Sequence, residues 1–228
     1  MQDATSVGAN TINYQFANIQ PNDILKITVE SLVPEAAIAY NKASMQSVQP
    51  QNIQVLQLDG YLVSSENTIT FPVLGELSTA GKTSKELEDA IKNQLISGGH
   101  LSDATVNVRL INAKVTILGE VNKPGTYSFT EQNITILQAL GYAGDLTING
   151  KRNDILLTRE ADGMRKVTHI DITSAAFMNS EFYFIKPNDV IVVNPNNPRV
   201  KNAGFIGNVG TVLTIASLAL SVTILLTR

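Results

Sequence analysis

A long uncharged apolar run near the C-terminus places the strongest constraint on this chain. From Ala203 to Leu226 the sequence reads AGFIGNVGTVLTIASLALSVTILL, with no charged residue. As a helix rising 1.5 Å per residue it would be roughly 36 Å long, enough for a hydrocarbon core of about 30 Å. Arg199 and Lys201 precede the run and Arg228 closes it, and cations at both ends suit lipid headgroups. The sequence therefore predicts a single C-terminal transmembrane helix over residues 203–226.

Small residues recur along one side of this predicted helix at spacings of four and three. In lipid, helices associate through close backbone approach and hydroxyl hydrogen bonds rather than through apolar bulk, so the pattern favours a helix–helix packing seam. A plain monomeric anchor is an equal alternative, because Gly, Ser and Thr are common in such spans. Asn208 and Thr211, the most polar positions of the first half, are candidate pore-lining residues. The seam consists of Ala203, Gly207, Gly210, Thr214, Ser217 and Ser221.

The rest of the composition excludes several classes of function. The 228 residues are 43% hydrophobic and 16% charged, which is typical of a folded protein of one or two domains. With a net charge of −3 and no long basic run, a nucleic-acid partner is not expected. The chain has no Cys and two His, so we expect no disulfide, no metal centre and no cofactor. Residues 1–13 are polar and lack a signal-peptide pattern, so we expect a flexible segment in a protein that is cytoplasmic or already processed.

The chain between Tyr14 and Pro195 reads as an α+β body. Short alternating apolar runs are separated by Gly, Pro and Asn-Asp turns, which is the pattern of strands. The predicted strands are Ile24–Glu30, Ile53–Leu58, Thr68–Pro72, Thr105–Ile111, Lys114–Leu118, Gly125–Phe129, Ile155–Thr158, Val167–Asp171 and Val190–Val193.

Two helices are predicted within this body. The first begins with the capping box Thr83-Ser84-Lys85-Glu86 and places Leu87, Ile91 and Leu95 on one buried face. The second runs from about Ile134 to Gly141 and is expected to end at that glycine.

One short pattern occurs twice. Ile19-Gln20-Pro21-Asn22-Asp23 and Ile185-Lys186-Pro187-Asn188-Asp189 each lead into an apolar strand. Proline fixes the corner and the aspartate accepts local backbone N–H groups, so both are predicted turns. A favourable turn used twice would suffice, but the repeat also suggests one such unit in each of two domains.

The order of these segments resembles the Wza-type outer-membrane polysaccharide export family from Tyr14 to Arg228. The first half contains QPNDILKI from residue 20, LDGY from residue 58, ITFPVLGEL from residue 69 and AGKT from residue 80. The second half is similar to a soluble-ligand-binding (SLBB) β-grasp domain. It contains VTILGEV from residue 115, KPGTY from residue 123, LQAL from residue 137, LTR from residue 157 and PNDVI from residue 187.

The resemblance implies a β-rich export domain over 14–112, a single SLBB-like β-grasp domain over 113–196 and the helix over 203–226. It further implies a homo-oligomeric ring, an octamer in this family, whose helices cross the outer membrane around a passage for capsular or exopolysaccharide. The soluble body would lie in the periplasm and meet an inner-membrane polysaccharide copolymerase, and outer-membrane lipid would surround the helices. Family members commonly carry a lipidated N-terminal Cys; this chain has none, so we expect Met1 to stand in its place.

The same resemblance assigns structural turns to a set of Pro, Gly and Asp residues. They are Pro21, Asp23, Gly60, Pro72, Gly75, Gly81, Gly119, Pro124, Gly125, Pro187 and Asp189.

No catalytic constellation is found in the sequence. His169 and Asp171 alternate along a predicted strand and share one face, where a surface pair is favoured over a catalytic dyad. We therefore expect a non-enzymatic conduit. The alternatives are a membrane-anchored periplasmic carbohydrate-binding module without a pore, and a polysaccharide-modifying enzyme, which would need a carboxylate pair that the sequence does not offer.

Overall fold

The computed structural model describes residues 14, 16–42, 59–161, 163–196 and 209–227. Within them the chain is a mixed helix-and-sheet protein with two hydrophobic cores. The helices are α1 (Pro34–Ala37), α2 (Ser84–Ser97), α3 (Ile136–Tyr142) and α4 (Val209–Leu226). The strands are β1 (Ile24–Glu30), β2 (Tyr61–Leu62), β3 (Thr68–Phe71), β4 (Gly75–Ser78), β5 (Thr105–Leu110), β6 (Lys114–Gly119), β7 (Gly125–Ser128), β8 (Ile134–Thr135), β9 (Gly150–Ala161), β10 (Met164–Ile170), β11 (Phe184–Ile185) and β12 (Val190–Pro195).

The first core is built on a three-stranded sheet. Strand β1 lies in its centre and pairs antiparallel with β2 on one side and β5 on the other. Because side chains alternate along a strand, Leu25, Ile27 and Val29 all point into the core and are buried. Helix α2 packs against β5, and the β3–β4 hairpin completes this first domain.

The second core is built on a five-stranded sheet of order β10-β9-β12-β6-β7. The central strand β12 is parallel to β6 and antiparallel to β9, with Ile191 opposite both Ile117 and Leu157. All three of these side chains are fully buried. Helix α3 contacts β6, and the short pair β8–β11 completes this second domain.

The predicted start of α2 is confirmed. The Thr83 hydroxyl accepts a hydrogen bond from the Glu86 amide, and the Glu86 carboxylate accepts one from the Thr83 amide. These bonds satisfy donors that a helix N-terminus otherwise leaves unpaired. Leu87, Ile91 and Leu95 are buried as predicted, because their fourfold spacing places them on one face.

The predicted end of the second helix is wrong. Gly141 lies inside α3, which continues through Tyr142 and has Ala143 as its C-cap. Gly144 and Asp145 have left-handed backbones, at φ +73° and +68°. The C-terminal turn closes through hydrogen bonds from the Gly144 and Asp145 amides, so the glycine signal lay three residues further along the chain.

The strand predictions are confirmed for the long runs and incomplete elsewhere. Strand β1 has the predicted bounds, whereas β9 extends from Gly150 to Ala161 instead of covering only Ile155–Thr158. Pairing with β10 extends β9 beyond Thr158 to Ala161. At its other end β9 begins at Gly150, which pairs with Pro195 of β12. The short strands β2, β4, β8 and β11 were not predicted, and the predicted strand Ile53–Leu58 lies outside the described residues.

The membrane-spanning helix predicted over residues 203–226 is not supported. Among the described residues, helix α4 covers Val209–Leu226. Across the described ranges, no helix combines the length and the apolar character needed to cross a membrane. Residues 203–208, with Ala203, Gly207 and Asn208, fall outside the described part of the chain.

Candidate functional site

The two Pro-Asn-Asp turns adopt the same backbone. Asn22 and Asn188 have φ of +70° and +66°, a left-handed conformation that asparagine tolerates better than most residues. In the first turn the Gln20 amide donates to Asp23 Oδ2 at 2.9 Å, and in the second the Lys186 amide donates to Asp189 Oδ2 at 2.8 Å. Each turn thus uses its aspartate to hold the corner before the central strand of its sheet.

The second turn carries a buried ion pair. Arg159 on β9 donates from Nη2 to Asp189 Oδ2 at 2.7 Å and from Nε to Asp189 Oδ1 at 3.0 Å. Its remaining donors reach the carbonyl oxygens of Glu181 and Phe184. Burial raises the pKa of Asp189, and the guanidinium and the Lys186 amide oppose that shift. The pair therefore fixes β9 to the turn that precedes β12.

The first turn has no such cation. Asp23 is 3% exposed, and within the described residues no Lys, Arg or His forms an ion pair with it. Burial raises its pKa to about 6, which its hydrogen bond from Gln20 only partly opposes. This carboxyl therefore titrates in a pH range where ordinary aspartates are ionised.

A cleft of about 510 Å³ lies between the two domains. The first domain contributes the first turn of α2 and strand β5, and the second contributes the loop between β7 and β8. The N-terminal segment crosses from one domain to the other along the cleft. At one end Tyr14 contacts Phe184 with ring centroids 5.4 Å apart, and at the other Asn18 forms a β-bridge with Thr83. Between these two attachments, Phe16 and Ala17 line the cleft.

The charged groups of the cleft are balanced and largely engaged. Lys85 lies 3.4 Å from Glu88 and 3.1 Å from Asp89, and the hydrogen bonds to these carboxylates, that of Asp89 first, raise its pKa. The other Glu88 oxygen accepts the Val108 amide at 2.9 Å. Arg109 donates to the Asn107 side chain. The cleft is thus polar at its rim without a strong charge of either sign.

Comparison with known proteins identifies both domains. The family model described as polysaccharide biosynthesis/export protein matches residues 13–111, and the SLBB domain model matches residues 113–193. The chain belongs to the Wza-type polysaccharide export family.

Three curated relatives of this export protein have names of the same kind. The EPS I polysaccharide export outer membrane protein EpsA of Ralstonia nicotianae is 35% identical over 106 residues, covering 45% of this chain and 27% of the relative. EpsA of Ralstonia solanacearum is 32% identical over 104 residues, covering 44% and 27%. The capsule polysaccharide export outer membrane protein CtrA of Neisseria meningitidis is 23% identical over 185 residues, covering 81% and 46%. The export protein chain spans about a quarter to a half of these relatives.

The predicted turn residues of the export protein lie at tight corners. A Cβ on Gly119 (φ +87°) would come 2.1 Å from the Val193 carbonyl oxygen, and one on Gly60 would come 2.3 Å from Ile24 Cγ2. Only glycine allows such close approaches. The remaining turn residues lie as follows: Pro72 and Gly75 in the β3–β4 hairpin, Gly81 (φ +66°) before α2, and Pro124 and Gly125 at the start of β7.

The pairing expected for His169 is corrected by the structure. Its Nδ1 lies 2.5 Å from Asp154 on the neighbouring strand β9, while Asp171 accepts hydrogen bonds from Thr173. Lys151 also contacts Asp154 at 2.7 Å, and these two partners, Lys151 first, lower the Asp154 pKa to about 2. Asp154, and not Asp171, is the partner of His169 because the pairing of β10 with β9 brings Asp154 beside it. The group lies at the surface, which fits a structural role.

Within the described residues, no cluster of three or more His, Cys, Asp or Glu side chains is placed to hold a metal ion. The export family consists of transport conduits rather than enzymes.

Helix α4 of the export protein is exposed from Val212 to Leu226. Side chains such as Leu213 (65% exposed), Leu218 and Leu225 have no cover from the described part of the body. Its small polar residues bond within the helix: the hydroxyls of Thr214, Ser217 and Ser221 donate to backbone carbonyls three or four residues earlier. Gly210 of the predicted seam lies in the first turn, as does Thr211, the candidate pore residue.

Proposed function

We propose that this protein is a subunit of an oligomeric outer-membrane conduit that passes capsular or exopolysaccharide to the cell surface. The observation that carries the proposal is the order of its domains, an export domain followed by an SLBB domain, together with relatives named as polysaccharide export outer membrane proteins. The subunit acts as a passage and a gate without chemistry of its own. The energy for transport comes from polymer synthesis at the inner membrane.

The exposed surface of α4 supports assembly. A single helix that exposes Val212, Leu213 and Leu218 to water loses the free energy that burial of apolar surface provides. We infer that copies of α4 cover one another in a homo-oligomeric ring, for which the family suggests eight subunits.

Small residues supply the contact between neighbouring helices. Gly210, Thr214, Ser217 and Ser221 follow one another at spacings of four, three and four, so they share one side of α4. Because the three hydroxyls are already bonded to the backbone of their own helix, a neighbouring helix can approach them without leaving a polar group unpaired. Ala203 and Gly207 extend the same side in sequence.

The remaining proposed partners meet the two domains that precede α4. These domains lie in the periplasm, where they receive the polysaccharide and meet an inner-membrane copolymerase. This arrangement would place a continuous path between synthesis and the cell surface.

Export and assembly can be tested separately. In a cell that depends on this gene for surface polymer, removal of residues 203–228 should abolish surface polysaccharide while the body remains folded. Persistence of surface polymer would end the conduit proposal. Native mass spectrometry of the full chain in detergent should give a discrete ring, and a stable monomer that binds sugar would instead support a tethered carbohydrate-binding module.

Substitutions on α4 test the contact surface. Gly210→Leu should reduce ring formation strongly, because a bulky side chain prevents close helix approach. Val212→Ala and Leu220→Ala, which lie off the small-residue side, are the matched controls and should leave the ring largely intact. Equal loss of assembly at all three positions would remove the argument for a seam. Gly207→Leu should behave like Gly210→Leu.

A further inference from the structure

We propose that the cleft between the two domains binds a short, neutral segment of saccharide, two to three sugar units long. The proposal rests on the proposed function for the identity of the ligand, since the exported polymer is the sugar that the protein would meet. The site itself is argued from the size, the aromatic surface, the free polar groups and the charge balance of the cleft.

The cleft has the size of a ligand site. Its volume of about 510 Å³ falls within the range of roughly 300–1,000 Å³ typical of small-molecule pockets. It also lies between two domains, where such pockets are common. Because each domain has its own core, the cleft is a gap between two formed surfaces.

An aromatic ring is displayed on one wall. Phe16 lines the cleft and is 51% exposed, although its neighbours in the segment are attached at both ends, through the Tyr14–Phe184 contact and the Asn18–Thr83 bridge. Fixing both ends of this segment limits the entropy lost on binding. The C–H face of a pyranose ring is apolar and weakly positive, and therefore complements the negative face of an aromatic ring.

Neutral polar groups surround the ring. The side chains of Ser84, Thr130 and Gln132 line the cleft, and none of them makes a hydrogen bond to the described part of the chain. A hydroxyl both donates and accepts, and so does a carboxamide, which matches the hydroxyl groups of a sugar. Thr130 and Gln132 lie on the loop before β8, whereas Ser84 lies on α2, so a bound sugar would contact both domains.

The charges favour a neutral ligand over a polyanion. Lys85 and Arg109 on the lining are matched by Glu88 and Glu131, and Lys85 is held by carboxylates of its own helix. An acidic sugar would have to approach two carboxylates without a free cluster of cations. A neutral sugar meets no such opposition.

Saturation-transfer NMR on the full chain in detergent tests the site. The probes are the neutral trisaccharides cellotriose, mannotriose and chitotriose, with trigalacturonate as the acidic comparison. We expect transfer to at least one neutral probe and weaker transfer to trigalacturonate. Phe16→Ala should weaken neutral binding about tenfold and Gln132→Ala about fivefold, since a stacking contact or a hydrogen bond is lost. Leu32→Ala is the control: it removes an exposed apolar side chain that does not line the cleft, and binding should not change.

The outcomes separate this inference from the proposed function. Absence of transfer to all three neutral probes, equal binding by Phe16→Ala and the unmodified chain, or stronger binding of trigalacturonate would each overturn the saccharide site. If Phe16→Ala changes the ring in native mass spectra and leaves saccharide binding intact, the cleft is a contact between copies and the inference is wrong. None of these results concerns export, which fails only if surface polymer persists without residues 203–228.

Discussion

The two domains begin their central strands with the same turn but compensate its buried carboxylate differently. Asp189 in the second domain is paired with Arg159 at 2.7 Å, while Asp23 in the first domain has a backbone hydrogen bond from Gln20 and no ion pair within the described residues. The turn geometry is nearly identical, with Asn22 and Asn188 both left-handed. The comparison shows that the corner is determined locally, whereas charge compensation depends on which strand packs beside it.

The difference has a consequence for pH dependence. The folded-state pKa of Asp23, about 6, is above its ordinary value of 3.8, so the folded protein holds this proton more tightly than the unfolded chain does. The contribution of Asp23 to the stability of the first domain is therefore fully present below about pH 3.8, and it is lost as the pH rises through about 6. Burial also raises the pKa of Asp189, but the Arg159 cation beside it counteracts that rise.

The largest expected effect comes from removing the cation of the second domain. Arg159→Met should lower the free energy of unfolding by about 3–5 kcal/mol, because it leaves a buried carboxylate without its cation. Urea denaturation followed by hydrogen exchange at β9 and β12 amides would measure it. Adding Asp189→Asn should restore part of the loss, and a single-variant loss below about 1 kcal/mol would show that the pair does not compensate the turn.

The glycines that close the sheets give a second contrast. Gly119→Ala should lower the free energy of unfolding by about 3 kcal/mol, because the new Cβ would collide with the Val193 backbone oxygen and because residue 119 has a left-handed backbone. Gly60→Ala should cost about 1–3 kcal/mol, because its main obstacle is the Ile24 side chain and its φ is ordinary. Thermal unfolding of both variants checks the order, and a larger loss for Gly60→Ala would contradict the role given to backbone contact.

Asp23→Asn tests the uncompensated turn directly. In the unmodified protein, ionisation of Asp23 should lower the stability of the first domain by about 2–3 kcal/mol between pH 4 and pH 7. The variant should not show this decrease, because a carboxamide does not titrate. Hydrogen exchange of β1 amides at several pH values would resolve this domain. Partly exposed Asp154, whose pKa is lowered to about 2, acts in the opposite direction and at lower pH, so Asp154→Asn is a suitable control. An unchanged pH profile in Asp23→Asn would mean that another group dominates.

The smallest effects should be equal in the two domains. Asn22→Ala and Asn188→Ala should each cost about 1–2 kcal/mol, the usual penalty for a left-handed L-residue. Asn22→Gly and Asn188→Gly should be nearly neutral because glycine accepts positive φ. Chemical denaturation would measure all four variants. Clearly unequal costs for the two alanine variants would show that the turns are not equivalent.

Local signals predicted the local parts of the fold. The capping box at Thr83 and the repeat of Pro-Asn-Asp were readable from the sequence because their hydrogen bonds join residues at most four apart. The partner of His169 was predicted incorrectly, since Asp154 becomes its neighbour only through the register of β9 and β10. The Arg159–Asp189 pair was not predicted for the same reason: thirty residues separate its members.

The candidate sites show the same limit. The spacing of the small residues of α4 predicts a packing seam, which stays a prediction, and among the described residues no helix is long and apolar enough to cross a membrane. The cleft could not be found, because its lining comes from α2, β5, the β7–β8 loop and the N-terminal segment. No sequence pattern indicates that the side chains of Ser84, Thr130 and Gln132 lie in the same cleft as Phe16. Only the packing of the two domains brings these groups together.

The position of β12 has a mechanical consequence. This strand is the last of the second domain before α4, and it lies in the middle of its sheet with β9 on one side and β6 on the other. A pull on the C-terminal helix, such as a moving polymer would exert, reaches β12 first. Because two ladders of hydrogen bonds hold it, the strand resists shear on both flanks at once and cannot unzip as an edge strand would. Force applied from the C-terminal side would therefore meet a strand that is paired on both sides.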